Sequence, residues 1–133
     1  MSTNSSIIVK YSDTEFRSIY VHYDGYLEGV GMSLFKHYNS DELAKSVISL
    51  GNLSGLYESM ECPKGHTYDT PVCGYSIAYG RDRGENKYQH DAKVSTNIFQ
   101  WMGQDYNYYW DGNDWYVSKN DVDHFIPLKL ALI

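Results

Sequence analysis

The stretch Ile19-Tyr-Val-His-Tyr-Asp-Gly-Tyr-Leu-Glu-Gly-Val-Gly31 constrains this chain more than any other. Its first residues have the β-branched and aromatic make-up of a strand. Asp24-Gly25 stops that strand, because Asp bonds its own backbone and Gly accepts positive φ. The glycines at 29 and 31 then lead into a helix. A fold containing this stretch must join a strand to a helix through a crowded turn carrying aromatic, acidic and imidazole groups.

Upstream, Ile7-Ile-Val-Lys-Tyr11 has strand composition and Ser12-Asp-Thr-Glu15 has turn chemistry. In Phe16-Arg-Ser-Ile-Tyr-Val-His22, period two puts Phe16, Ser18, Tyr20 and His22 on one side and Arg17, Ile19, Val21 and Tyr23 on the other. The two runs predict an antiparallel hairpin. Residues 1–5 read as a frayed start.

Downstream, Gly29 to Tyr38 reads as a helix, with Val30, Leu34 and Tyr38 at i, i+4, i+8. Asn39-Ser-Asp-Glu42 reads as a capping box, Asn39 capping a second helix striped by Leu43, Ala44, Val47 and Ile48. Gly51 falls at its left-handed C-cap. Residues 52–74 read as one long loop with little periodicity. Tyr75–Tyr79 reads as a third strand, Gly80–Glu85 as a charged turn and Val94–Met102 as a short helix. Asp111-Gly112, between the aromatic runs Tyr106–Trp110 and Trp115–Val117, is a strong hairpin signal. The apolar end, Phe125–Ile133, either packs on the sheet or serves as a partner-binding tail. The order ββααβαββ predicts one α+β domain over 1–133, mostly antiparallel, with helices on one face.

Composition narrows the function classes. A net charge of −6 argues against a phosphate-binding surface and direct nucleic-acid contact. No apolar run reaches the roughly 18 residues of a membrane span. The polar start Met1–Ser6 lacks the features of a secretory signal. Cytoplasmic location and reduced Cys62 and Cys73 are the expectation. The 14 tyrosines suit a recognition face that is both packed and wet, and equally a sheet with half-buried Tyr.

The chemical constellations are weak. Cys62, His66 and Cys73 could supply three zinc ligands, with His90 or His37 as a fourth, but no CxxC pair exists. A polar loop with two thiols is preferred, and no cofactor is expected. His22, Asp24 and Glu28 could serve acid–base chemistry. With Asp82 and Glu85 they could hold a divalent cation for a nuclease. The preferred alternative has Asp24 capping its turn and His22 on the sheet surface. Arg81 and Arg83, between Gly80 and Gly84, could clamp a nucleotide with stacking by Tyr79 or Trp101. Asp82 and Glu85 make an internal ion-pair network equally plausible. There is no P-loop, dinucleotide fingerprint or nucleophile elbow.

Four pieces form a pattern: Ile19–Tyr26 with Gly29-Val-Gly31 and His37-Tyr38; Leu50-Gly51 with Leu53-Ser54; Ala78-Tyr-Gly-Arg-Asp-Arg-Gly-Glu85; and Trp110-Asp-Gly with Trp115-Tyr-Val117. The pattern resembles a group of small proteins carried by bacteriophages and prophages, over most of residues 16–118. It has no assigned chemistry, so no catalytic residue follows from it, and the Cys62/Cys73 loop lies outside it. The resemblance implies a context in which small acidic phage proteins act as stoichiometric inhibitors of host defence enzymes, CRISPR effectors included. The expected docking face combines Tyr23, Tyr26, Tyr108, Tyr109 and Trp110 as anchors with Asp24, Glu28, Asp111 and Asp114 as acidic partners. A second copy of the chain is a further candidate partner.

Overall fold

The computed structural model describes residues 3–98, 103–119 and 124–133, with 87 and 88 described by backbone alone. The architecture is α+β. The strands are β1 (Ser5–Ser12), β2 (Glu15–Val21), β3 (Leu53–Gly55), β4 (Ile77–Ala78), β5 (Lys93–Ser95), β6 (Tyr106–Trp110), β7 (Trp115–Lys119) and β8 (Ile126–Pro127). A π-helical turn, Leu27–Gly31, leads into α1 (Met32–His37). The other helices are α2 (Asp41–Ser49), α3 (Tyr79–Arg83), α4 (Lys87–His90) and α5 (Leu128–Ala131). Among the described residues no helix is long and apolar enough to cross a membrane.

The strands form one mostly antiparallel sheet in the order β4-β3-β2-β1-β6-β7-β8, with β5 also pairing β2. Both expected hairpins are present, β1–β2 and β6–β7. They join through a parallel β1–β6 ladder, Ser5 opposite Tyr106 and Val9 opposite Trp110. β2 and β3 also pair in parallel, Val21 opposite Leu53, so the sheet is mixed.

Register fixes the two faces. Ile7, Ile19, Tyr108 and Val117 lie opposite one another across four strands. With Val9, Val21 and Trp110 they bury one face against Leu34, Ala44, Val47 and Ile48. Each such large apolar side chain contributes roughly 1.5–3 kcal/mol on leaving water. The other face carries Ser6, Ile8, Ser18, Tyr20, Asn107, Tyr109 and Tyr116, as alternation requires.

Several expectations need correction. From Thr3 onward the start is tied down: Thr3 O accepts from Gly25 N–H at 2.8 Å, and Ser5 is fully buried. Ser40 caps α2, not Asn39; extended backbone lets its Oγ accept from Leu43 N–H at 3.2 Å. Asp41 and Glu42 then occupy the first turn, where the helix dipole favours them. Gly51 takes the expected left-handed position, φ 75°, and a Cβ there would collide with His90 O. The 52–74 loop opens with β3. The third strand shrinks to Ile77–Ala78, because Tyr79 starts the one-turn helix α3, closed by left-handed Gly84. Where a helix was expected from Val94, β5 pairs Lys93–Ser95 with β2. Residues 96–98 of that predicted helix form bends and a turn, and residues 99–102 lie outside the described residues. The carboxyl end packs on the sheet through β8 and buried Leu128.

Candidate functional site

The turn after β2 is held by contacts from several distant parts of the chain. Asp24 has φ 59°, the one non-glycine with positive φ among the described residues. Such backbone costs of order 1–2 kcal/mol and needs support from its surroundings. Its carboxylate accepts from Tyr57 Oη at 3.1 Å and Tyr26 Oη at 3.3 Å. Its carbonyl accepts from Val30 N–H at 2.8 Å, closing the π-helical turn. A Cβ on Gly29 would collide with Asp24 O, and one on Gly25 would lie 2.8 Å from Asn4 and Ser5 atoms. From beneath, buried Tyr108 donates its hydroxyl to Gly25 O at 2.7 Å, and its ring packs on Gly31.

The electrostatics follow. Burial, then the Asp24 charge, pushes the Tyr57 phenol up to about 12. The Asp24 charge raises Tyr26, which is solvent-exposed. Tyr57 and Tyr26 therefore stay protonated and donate to the carboxylate at any ordinary pH. Tyr23 is 43% and Tyr26 38% exposed, and Glu28 is exposed beside them. Among the described residues neither Asp24 nor Glu28 joins an ion pair. His22 is anchored on the sheet surface, its Nδ1 2.9 Å from Tyr20 Oη and its ring edge-on to Tyr23.

The expected nine-residue face does not form. Tyr108 and Trp110 are 0% and 2% exposed, because period two turns them into the core. Trp110 Nε1 donates to Asp41 at 3.1 Å. Tyr109 points to the other face among Phe16, Tyr116 and Phe125. Asp111 and Asp114 sit at the Val9 end of β1, whereas Asp24 follows the β2 residue paired with Ser5. About 13 Å of strand separates the two ends.

The charged segment after β4 is structural. The His66 and Asp82 side chains are fully buried, with Nε2 3.3 Å from Asp82 Oδ2. Nε2 also lies 3.0 Å from Ser76 O, while Nδ1 accepts from Val72 N–H at 2.9 Å. Both ring nitrogens are thus committed, leaving no lone pair for a metal. Burial works to raise the Asp82 carboxyl. Hydrogen bonds from Arg81 and Ala78 N–H, with the Arg81 charge, outweigh it and hold it below the usual range.

Arg81 spends its other donors on Met60 O and Ser76 O. Arg83 instead lies 4.5 Å over the Tyr68 ring and pairs Glu85, so the two arginines do not form one clamp. Glu85 also meets His90 at 2.9 Å, and His90 stacks on Tyr79. Asp24, Glu28, Asp82 and Glu85 do not converge. No group of three or more His, Cys, Asp or Glu among the described residues could hold a metal. Cys62 and Cys73 are free, exposed thiols, and His37 is an exposed side chain edge-on to Tyr38. Trp101 lies outside the described residues.

The sequence reading missed Tyr57, which sits in the aperiodic loop and reaches Asp24 across 33 positions. It also missed the His66–Asp82 pair. Period two was a usable signal for Tyr108 and Trp110, which had to share a face opposite Tyr109. No protein-family model, curated protein or solved structure matches the chain.

Proposed function

We propose that this protein is a binding module that blocks a partner protein stoichiometrically, docking through Tyr23, Asp24, Tyr26 and Glu28. The observation that carries the reading is the locked turn: strained Asp24, held by two tyrosine hydroxyls, beside exposed aromatic rings and an unpaired carboxylate. A turn already fixed loses little entropy on docking. Tyrosine anchors supply contact area, and the carboxylates select a basic partner surface. A nucleic-acid channel is such a surface. The resemblance to phage-encoded proteins supports a defence nuclease or CRISPR effector as that partner, met in the host cytoplasm.

The test is affinity purification of tagged protein from a bacterial host carrying defence systems, with mass spectrometry of what co-purifies. The expected result is one nucleic-acid-binding effector in stoichiometric amount, whose activity falls to zero at a 1:1 ratio. Inhibition that needs large excess, or capture unaffected by combined Tyr26→Ala and Glu28→Lys substitution, would overturn the reading.

A further inference from the structure

We infer that the face of the sheet turned away from α1 and α2 carries a binding site for a small oxyanion-bearing molecule, in the gap between β3 and β5 along the edge of β2. β5 pairs β2 at Phe16–Ser18, and β3 pairs it at Val21. Between them Tyr20 N–H has no strand partner of its own and donates to Asn52 Oδ1 at 2.9 Å. The gap opens a cavity of about 190 Å³ lined by Ser6, Ser18, Ile19, Tyr20, Asn52, Lys93 and Gln104.

Three features point to a ligand. Ser18 is 3% exposed, yet its hydroxyl makes no hydrogen bond among the described residues and lines the cavity. The hydroxyl opens onto the cavity, so it is free to donate to an acceptor bound there. Lys93 lies directly opposite Ser18 in the β2–β5 ladder, so both side chains leave the same face. Among the described residues Lys93 joins no ion pair and no carboxylate lines the cavity. In a chain of net charge −6, a cavity lined by one charged group among the described residues, a cation, is selective for an anion. The volume exceeds the roughly 150 Å³ that holds a benzene ring, so the ligand is a compact carboxylate or phosphate compound. Lys93 meets its charge, Ser18 donates to it, and the Gln104 amide is placed to bond its body.

Thermal unfolding of the full chain is measured with 10 mM phosphate, glycerol 3-phosphate, acetate, lactate or glutamate, against sodium chloride at matched ionic strength. At least one compound is expected to raise Tm by several degrees, since a hundredfold excess over Kd stabilises by mass action. The phosphate and carboxylate arms separate the two sources. Lys93→Met is expected to abolish the shift. Ser18→Ala is expected to weaken Kd about fivefold to tenfold while leaving the ligand-free Tm little changed. Amide NMR shifts on the wild-type protein should localise to Ser18, Tyr20, Lys93 and Gln104. A flat panel, a shift that survives Lys93→Met, or NMR changes elsewhere would overturn the site.

Discussion

Two turns of the chain carry the same Asp-Gly dipeptide after an aromatic-rich strand, at 24–25 and at 111–112. At the second, Asp111 Oδ1 accepts from Asn113 N–H at 2.8 Å and Asp114 N–H at 2.9 Å. Gly112 takes φ 105°, with nothing within 4 Å of a Cβ built there. Every bond in that turn is local, and solvent surrounds its tip. At the first, the supports come from far along the chain: Thr3, Tyr57 and Tyr108. One dipeptide thus closes a hairpin in one place and fixes a display surface in the other. Distant packing decides which, not the local sequence.

Substitutions should separate the two turns. Gly29→Ala forces a Cβ against Asp24 O and is expected to cost at least about 3 kcal/mol, whereas Gly112→Ala meets only the backbone penalty of about 1–2 kcal/mol. Chemical denaturation of both variants checks this, and equal costs would remove the distinction. Asp24→Ala loses two charge-assisted hydrogen bonds and keeps a strained φ, so about 2–3 kcal/mol is expected, against about 1 kcal/mol for Asp111→Ala. Tyr108→Phe strands the buried Gly25 carbonyl and should cost about 1–2 kcal/mol. Tyr109→Phe, whose hydroxyl makes no hydrogen bond among the described residues, should cost under about 0.5 kcal/mol.

A further effect is in pH, outside the ordinary range. The folded-state pKa of Tyr57 is raised from 10.0 to about 12. Its contribution is therefore full below pH 10 and lost as pH rises through about 12. Asp24→Asn should lower the Tyr57 value but leave it above 10.0, because burial is the larger cause. A ring-carbon NMR titration of Tyr57 reads both points.

How legible all this was depended on range. The faces of β1, β2, β6 and β7 follow from period two, and Gly51 as a helix stop follows from local chemistry. Tyr23, Asp24, Tyr26 and Glu28 stood out because they crowd one turn. Tyr57 did not, because nothing around it repeats. The parallel β1–β6 pairing joins residues about a hundred positions apart, which no local pattern encodes. Trp110 and Tyr108 looked like anchors because aromatic content was weighed before alternation. Arg81 and Arg83 looked like a ligand clamp because the carbonyls that hold Arg81, Met60 O and Ser76 O, lie in or beside the aperiodic loop.

The central claim is that the Asp24 turn, and not the Asp111 turn, is the docking surface. Calorimetric titration of the co-purified partner against matched charge reversals, Glu28→Lys and Asp114→Lys, tests it most directly. Each replaces an exposed carboxylate, so neither should disturb the fold. The account predicts that Glu28→Lys weakens Kd at least tenfold, about 1.4 kcal/mol, while Asp114→Lys leaves it unchanged. Loss of affinity with Asp114→Lys alone would contradict it.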